Sequence, residues 1–387
     1  MDYREDFQTI PVGALGIIAM PGCETLGRKI DEYLINWRTE RENEHKTSVA
    51  FLGYQRDTYR IKYKCPRFGS GEAKAVINQS VRGLDMHIIC DVFNYGVTYE
   101  MYGNKVPMSP DDHFADLKRI IAAAGGKARR ITVIMPMLYE GRQHKRSARE
   151  SLDCAVALQE LIKMGVENII TFDAHDARVQ NAIPLSGFEN VQPTYQMIKA
   201  LTYKVPDLKF DSEKCIIISP DEGGMSRCIY YSSVLGLNLG MFYKRRNYSK
   251  IVNGRNPIVA QEYLGDSVEG KDVIVADDMI SSGDSVLEIA KKLKALGASR
   301  IFICTCFGLF SEGLERFDEA YKEGLFDQVF TTNLVYRMPA LSRRKWYTNV
   351  DMSKYIAYII DTLNHDMSVS GLLNPVERIN KLLKRVR

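Results

Sequence analysis

Short apolar runs alternate with amphipathic helical patterns along this chain of 387 residues. Each run is short enough for a strand that is buried in a parallel sheet, and a glycine stands at several joints between strand and helix. The predicted strands lie at 15–20, 86–92, 131–138, 168–172, 215–219, 239–243, 273–276 and 300–307. Strands and helices in this alternation predict an α/β fold, with mainly parallel sheets flanked by helices.

The chain is too long for one core of ordinary size, and its strand–helix pattern falls into two similar halves. We therefore predict two α/β domains, at residues 1–165 and 166–345. The remaining residues, 346–387, are predicted to form a helical segment that packs back on the first domain. Two stretches lack the pattern: 36–48 is predicted to be an exposed insertion, and 94–110 a long loop.

Composition narrows the class of protein. Hydrophobic residues make up 45% of the chain and charged residues 26%, as in soluble globular proteins. A net charge of +4 gives no support for nucleic-acid binding. No apolar run approaches the roughly 20 residues that cross a bilayer, and the acidic N-terminal sequence differs from a signal peptide. We expect a cytoplasmic protein without nucleic-acid or membrane partners, whose eight scattered cysteines are reduced and buried.

The segment 273–285 carries the clearest candidate chemistry. Its apolar run is followed by the acid pair Asp277 and Asp278, then by a loop of small residues and a helical pattern. The loop consists of Ser281, Ser282, Gly283, Asp284 and Ser285. The apolar face predicted for the helix comprises Val286, Ile289, Ala290, Leu293 and Leu296. Backbone N–H groups at such a helix start can bind phosphate, while the acids could bind sugar hydroxyls or a metal ion. The simpler interpretation is an ordinary strand-to-helix turn.

Two further loops favour phosphorylated ligands. Asp221, Gly223 and Gly224, with Arg227 just beyond them, offer an acid, close backbone approach and a guanidinium group. A glycine-rich turn with surface charges is the plainer alternative. The three cations at 244–246 follow another predicted strand, and they indicate either a phosphate-binding lid or a solvated run of charge.

His175 stands between Asp173 and Asp176, directly after the strand predicted at 168–172. It could be a capping histidine, or it could contact a metal–phosphate ligand. In open α/β sheets the ligand site lies at the carboxyl ends of the strands, where these loops are predicted to meet. Many cations, several acids suited to Mg²⁺ and no evident covalent nucleophile together indicate phosphoryl-type transfer.

Six motifs in this order resemble those of the ribose-phosphate pyrophosphokinases, also called PRPP synthases. RFGSGE at 67–72 resembles RFSDGE of that family, and VIMPMLYEGRQHKR at 133–146 resembles its strand and YARQD segment. The other matches are NIITFDAHDA at 168–177 with TxDLHA, ISPDEGGMSR at 218–227 with SPDxGGxxR, YKRR at 243–246 with DKRR, and VADDMISSGDS at 275–285 with VDDMIDTGGT. The motif DDMISSGDS at 277–285 would be unspecific alone, because any type I phosphoribosyltransferase can carry it. Six in sequence order identify the chain as a divergent, longer member.

The resemblance implies two type I phosphoribosyltransferase-like domains and transfer of the β,γ-diphosphoryl group of ATP to the 1-hydroxyl of ribose 5-phosphate. The first domain would then carry the ATP-side loops. Phe68 would stack on the adenine and Glu72 would make a polar contact with it, while Arg142 and Gln143 would hold the nucleotide. The family also implies a homo-oligomer built from dimers, of which a hexamer is one form.

In the second domain the resemblance implies that Asp277 and Asp278 bind the sugar hydroxyls and that loop 281–285 binds the 5-phosphate. Asp221, Gly223, Gly224 and Arg227 would form a diphosphate loop. His175 and Asp221 would position Mg²⁺ with ATP, and Lys244 and Arg246 would close over the transferring group as catalytic cations. Each of these residues lies in a segment that aligns with a family motif.

Several positions depart from the family motifs. Ser70 and His144 each replace an aspartate, Ser281 replaces another, and Asp284 replaces a glycine. An aspartate in a phosphate loop is acceptable if its carboxylate turns outward. Two other functions therefore stay open from the sequence: a catalytically silent regulatory paralogue, and a phosphoribosyltransferase that consumes PRPP.

Overall fold

The computed structural model describes residues 9–42, 53–246 and 258–386, with side chains described except at 42, 244–246, 258–261, 385 and 386. Contacts divide the chain into two compact units. The first comprises Met1–Gln192, Asn333–Tyr336 and Asp351–Asn374, and the second comprises Pro193–Thr332, Arg337–Val350 and Pro375–Arg387. The domain boundary predicted at 165/166 does not coincide with this division, because the first sheet continues through two more strands.

A five-stranded sheet forms the centre of the first unit. In chain order this part contains β1 (Ala14–Ala19), α1 (Glu24–Glu42), β2 (Tyr63–Lys64), β3 (Val76–Ile77), β4 (Leu84–Ile89), β5 (Thr98–Met101), β6 (Asn104–Pro107), α2 (Pro110–Ala124), β7 (Arg130–Ile134), α3 (Asp153–Lys163), β8 (Asn168–Phe172) and β9 (Gly187–Val191). The sheet has the order β1-β4-β7-β8-β9, and all its neighbours pair in parallel. Helix α2 begins with a reciprocal capping box between Ser109 and Asp112, and it ends at Gly125 in the left-handed conformation.

A seven-stranded sheet forms the centre of the second unit. The elements here are α4 (Thr194–Lys204), β10 (Cys215–Ser219), α5 (Met225–Leu235), β11 (Asn238–Arg246), β12 (Ile258–Leu264), β13 (Asp272–Ile280), α6 (Asp284–Ala295), β14 (Ile301–Gly308), α7 (Glu315–Lys322), β15 (Gln328–Thr332) and β16 (Tyr347–Val350). The strand order is β12-β11-β10-β13-β14-β15-β16, and within the described part of this sheet β12 alone runs antiparallel to its neighbour. Both sheets therefore have the mainly parallel, helix-flanked form that the sequence predicts. Within the described ranges, no helix combines the length and apolar character needed to cross a membrane.

The C-terminal helices divide between the two units. Helices α8 (Ser353–Asn364) and α9 (Ser370–Leu373) belong to the first unit, and α10 (Val376–Val386) belongs to the second. Helix α8 packs against α1, where Asp361 is fully buried and accepts hydrogen bonds from Arg38 at 3.0 Å and Arg41 at 2.6 Å. This buried ion network holds α8 to the first unit. The segment 346–387 was predicted to pack on the first domain, and its residues 351–374 belong to the first unit.

Four local predictions differ from the structure. Helix α1 continues to Glu42 through the first half of the predicted insertion at 36–48, and residues 43–52 lie outside the described ranges. The predicted loop at 94–110 contains the hairpin β5–β6. The helical pattern of residues 147–164 predicts a helix that starts at Ser147, but α3 begins only at Asp153. Strand β13 continues its pairing with β14 as far as Ile280, so the acid pair lies on the strand rather than after it. The prediction of reduced, buried cysteines agrees better with the structure. In the described part of the chain no disulfide joins them, and all of them are buried except the half-buried Cys65.

Candidate active site

The carboxyl edge of the second sheet brings several predicted site residues together. Strand β10 lies between β11 and β13, pairing in parallel with both. Since parallel neighbours end at the same edge of a sheet, three segments meet there. They are the diphosphate loop at 220–227, the end of β11, and the phosphate loop at 281–285 that follows β13. The sequence motifs of the second unit therefore share one edge.

The acid pair on β13 is rich in negative charge. Asp278 is buried and its backbone N–H donates to the Asp277 carboxylate at 2.9 Å. Burial raises the pKa of Asp277, the negative charge of Asp278 raises it further, and Asp221 acts in the same direction. Arg227 opposes these effects, with its guanidinium nitrogen 3.6 Å from an Asp277 oxygen. A ligand that brings hydroxyl donors or a cation would therefore stabilise the ionised pair.

The phosphate loop turns sharply into α6. Gly283 precedes the helix with a φ of +95°, and a Cβ atom there would lie 2.3 Å from Cε2 of Phe317. The N-cap residue Gly283 has no side chain, and the Ser282 hydroxyl accepts a hydrogen bond from the backbone N–H of Asp284 at 3.4 Å. The backbone N–H groups of a helix start beside glycine and serine have the physical properties of an anion site.

Asp284, the first residue of α6, has its carboxylate bound by neighbouring side chains. One oxygen contacts the guanidinium of Arg316, and the other accepts a hydrogen bond from the Ser282 hydroxyl at 3.0 Å. The hydrogen bond from Ser282 and the ion pair with Arg316 lower the pKa of Asp284, so the side chain is ionised. The carboxylate is half exposed, which meets the condition under which an aspartate is acceptable in this loop.

The diphosphate loop is folded around one carboxylate. Asp221 accepts hydrogen bonds from the backbone N–H groups of Gly223 at 3.0 Å and Gly224 at 3.3 Å. A Cβ atom at Gly224 would lie 3.0 Å from the Ser219 hydroxyl, so this position favours glycine. Helix α5 begins directly afterwards at Met225, and it places Arg227 beside the acid pair.

In the first unit, two candidate loops that contain histidine follow the neighbouring strands β7 and β8. The His144 ring nitrogen lies 3.3 Å from an Asp176 oxygen, and the rings of His144 and His175 are 5.5 Å apart. Hydrogen bonds from Arg178 lower the pKa of Asp176, whereas burial lowers the pKa of His144. His144 therefore joins the loop that carries the exposed residues Arg142 and Gln143 to the loop of His175.

The turn at 67–72 is the remaining candidate in the first unit. Phe68 is 53% exposed, and its backbone N–H donates to the Glu72 carbonyl at 2.7 Å. The Ser70 hydroxyl donates a hydrogen bond to the Glu72 carboxylate at 3.0 Å. Ser70, which departs from the family motif, therefore contacts the residue that is predicted to bind adenine. Below the turn, Arg67 is fixed by Asp116 of α2 at 3.0 Å. Phe68 is thus presented to solvent on a well-anchored turn.

Comparison with known proteins connects both groups of loops to one family. A family model for the N-terminal domain of ribose phosphate pyrophosphokinase matches residues 15–165, and a phosphoribosyl transferase domain model matches residues 186–333. The chain belongs to the ribose-phosphate pyrophosphokinase family. Its relatives of that name include proteins from Vibrio cholerae, 27% identical over 80% of this chain and 90% of the relative, and from Prochlorococcus marinus, 29% identical over 74% and 77%.

A solved structure supports the same fold for this family member. The phosphoribosylpyrophosphate synthetase from Mycobacterium smegmatis superposes with a TM-score of 0.69, covering 91% of this chain and 99% of that one at 19% sequence identity. The prediction of two phosphoribosyltransferase-like domains is thereby confirmed.

The pyrophosphokinase motifs do not identify every charged group at these loops. Lys244 and Arg246 lie at the end of β11, at the expected edge, but their side chains are outside the described set. Arg316 was missed, because it lies in α7, outside every motif, and only its contact with Asp284 indicates a role. Asp176 was noted only as a neighbour of His175, and its contact with His144 depends on the pairing of β7 with β8.

Proposed function

We propose that this chain is a ribose-phosphate pyrophosphokinase that transfers the β,γ-diphosphoryl group of ATP to the 1-hydroxyl of ribose 5-phosphate. The hydroxyl oxygen would bond to the β-phosphorus and lose its proton, the bond from the β-phosphorus to the oxygen of the α-phosphate would break, and AMP would leave. The observation that carries the proposal is the shared carboxyl edge of β10, β11 and β13, which gathers acids, glycines and cations in a member of this family.

Ribose 5-phosphate would bind to the second unit. The acid pair Asp277 and Asp278 suits the 2- and 3-hydroxyls, since a carboxylate with a raised pKa is stabilised by accepting hydrogen bonds. The 5-phosphate would bind at the phosphate loop, where the N-terminus of α6 supplies backbone donors and a favourable dipole. Gly283 would then permit the sharp entry into the helix.

Each unit carries loops with a proposed role in nucleotide or diphosphate binding. We propose that the exposed ring of Phe68 stacks on the adenine and that Glu72 accepts from its amino group. Arg142 and Gln143 are exposed and can bind phosphate or ribose oxygens. Gly223 and Gly224 would allow the transferring diphosphate to approach the backbone.

Mg²⁺ is the proposed cofactor. Within the described ranges, no group of three or more His, Cys, Asp and Glu side chains is arranged to hold a metal ion. Mg²⁺ in kinase sites takes most ligands from substrate phosphates and water, with one or two carboxylates from the protein. The excess negative charge around Asp277 fits such an ion, and Asp221 is its proposed ligand in the second unit. In the first unit, His175 is the residue proposed to contact Mg²⁺ that binds with ATP. When bound, the ion would neutralise phosphate charge.

Charge neutralisation during transfer would come from Lys244 and Arg246. Their position at the end of β11 leads directly into residues 247–257, which lie outside the described ranges. In phosphoryl transfer, catalysis depends on positioning and on compensating developing negative charge. We further propose a cytoplasmic location and a homo-oligomer, both of which stay predictions.

The direct test is incubation of the purified chain with Mg-ATP and ribose 5-phosphate, with AMP and PRPP measured by chromatography. We expect equal amounts of both products, and no AMP when the sugar phosphate is omitted. ATP binding without turnover would favour the regulatory paralogue. Consumption of added PRPP with a purine or pyrimidine base, without AMP formation from ATP, would instead indicate a phosphoribosyltransferase.

A further inference from the structure

Asp284 brings a negative charge to the place where the proposed function requires a phosphate to bind. An acidic side chain in the first turn stabilises a helix through the helix dipole, but the same field is what attracts the phosphate. A carboxylate that turned into the loop would compete with the phosphate for backbone donors and repel it. The loop therefore needs a means of keeping this side chain out of the anion site.

The described contacts around Asp284 meet that need. Arg316 of α7 contacts one carboxylate oxygen, and the Ser282 hydroxyl donates to the other at 3.0 Å. Arg316 also pairs with Glu312 at 3.2 Å. One Asp284 oxygen is thus held by Ser282 of the loop itself and the other by Arg316 of α7, which supplies the positive charge.

The start of α7, which carries Arg316, is anchored against the phosphate loop. The next residue, Phe317, is fully buried and its ring lies against the position of Gly283. That ring also stacks on Trp346, with centroids 5.5 Å apart. The backbone N–H of Ser311, just before α7, donates to the Ser281 carbonyl at 3.0 Å. The phosphate loop and the start of α7 are therefore packed as one unit.

We propose that Arg316 is a positioning residue for ribose 5-phosphate, acting by holding the Asp284 carboxylate away from the phosphate loop. The inference rests on the proposed function, since it assigns loop 281–285 to the 5-phosphate. Arg316 itself would not contact the substrate. Its effect passes entirely through Asp284, and that distinguishes it from the catalytic cations on β11.

The test is the charge reversal Arg316→Glu, which removes the partner and repels Asp284 toward the loop. We expect the KM for ribose 5-phosphate to rise about tenfold, with the KM for ATP and kcat changed less than about twofold. The increase should shrink at high salt, because the charges are half exposed. Lys322→Glu makes the same change in charge near the other end of α7, and it should leave the KM for ribose 5-phosphate unchanged.

The decisive variant is the pair Arg316→Glu with Asp284→Gly, which removes the carboxylate that Arg316 controls. We expect its KM for ribose 5-phosphate to match that of Asp284→Gly alone, within about twofold. A KM that stays high in the double variant would overturn the proposal, because Arg316 would then act on the phosphate directly or on the fold. An unchanged KM in Arg316→Glu would overturn it as well.

Two measurements keep this test separate from the proposed function. Arg316→Gln is a milder variant for use if the reversal does not fold, and it should raise the same KM about threefold. Calorimetric titration of the wild-type chain with ribose 5-phosphate establishes whether the sugar phosphate binds. A wild type that neither binds it nor releases AMP contradicts the proposed function, whereas an active wild type with indifferent Arg316 variants contradicts only this inference.

Discussion

Gly283 is the phosphate-loop residue at which a single methyl group should have the largest effect. Its φ of +95° lies in the region that favours glycine, so alanine there costs about 1–2 kcal/mol of backbone strain. The added Cβ would also lie 2.3 Å from Cε2 and 2.6 Å from Cζ of Phe317. Both distances fall far inside the roughly 3.5 Å of a normal carbon contact.

Phe317 cannot retreat from the new methyl group. Its ring is fully buried and contacts Phe310 and Trp346, with centroid separations of 5.0 and 5.5 Å. Overpacking a filled core costs about 1–3 kcal/mol. Adding the strain, we expect Gly283→Ala to lower the free energy of unfolding of the second unit by about 2–5 kcal/mol.

The chain offers a convenient assay and a matched control. It has two tryptophans, and in a Trp37→Phe background the fluorescence of Trp346 reports on the second unit during denaturation by guanidinium chloride. Gly270→Ala is the control, because Gly270 has a φ of +71° but a Cβ added there would meet no atom within 4 Å. Its free energy of unfolding should fall only by the cost of backbone strain, about 1–2 kcal/mol. The difference between the two variants measures the steric part.

A double-mutant cycle with Phe317→Leu checks the cause. If the ring is responsible, Gly283→Ala should be less costly by about 1–3 kcal/mol when leucine occupies position 317. Strictly additive effects would refute the steric argument. So would a Gly283→Ala variant whose stability stays within about 0.5 kcal/mol of the parent.

Three further predictions concern other parts of the molecule. Asp361→Asn should lower the free energy of unfolding by about 3–5 kcal/mol at neutral pH, because it leaves Arg38 buried without a full counter-charge. Burial alone would raise the pKa of Asp361, but the two arginines hold this pKa below its ordinary value. The difference in free energy of unfolding between wild type and Asp361→Asn, measured by urea denaturation, should therefore become smaller as pH falls below about 4. A difference that does not change with pH would contradict this. His144→Asp should raise the KM for ATP about tenfold by facing Asp176 with a like charge, while His144→Asn should not; equal effects would exclude repulsion. Lys244→Ala should lower kcat by about 10²–10³-fold with little change in KM, and near-normal turnover would contradict its catalytic role.

The sequence was informative wherever local periodicity decides structure. The predicted apolar face of α6 is correct at Val286, Ile289, Ala290 and Leu293, which are all buried. Leu296 was also predicted on that face, yet it is 45% exposed, because the helix ends at Ala295 and Leu296 is its C-cap. The hairpin β5–β6 was missed, since its register depends on pairing that a segment rich in Tyr, Gly and Pro does not reveal.

The limits of strand β13 illustrate a second kind of error. Four apolar residues predict a strand that stops at Ala276, but β14 continues to pair with β13 as far as Ile280. Cross-strand hydrogen bonds therefore extend the strand past the point at which its own hydrophobicity ends. The consequence is functional, because the acid pair is held on a rigid strand, with Asp278 buried and Asp277 facing Arg227.

The departures from the family motifs follow a common electrostatic pattern that no motif comparison reveals. His144 stands where the motif has an acid, and the structure places Asp176 of the neighbouring loop 3.3 Å from its ring. Asp284 stands where the motif has glycine, and Arg316 of α7 contacts its carboxylate. In each case a residue distant in sequence contacts the altered side chain: Arg316 supplies a positive charge to Asp284, whereas Asp176 lies beside a His144 ring whose pKa burial lowers. Neither altered position therefore leaves an isolated charge beside the proposed ligand. Counting motif identities would record both positions only as departures from the pyrophosphokinase motifs, whereas the structure shows the residue that each altered side chain contacts.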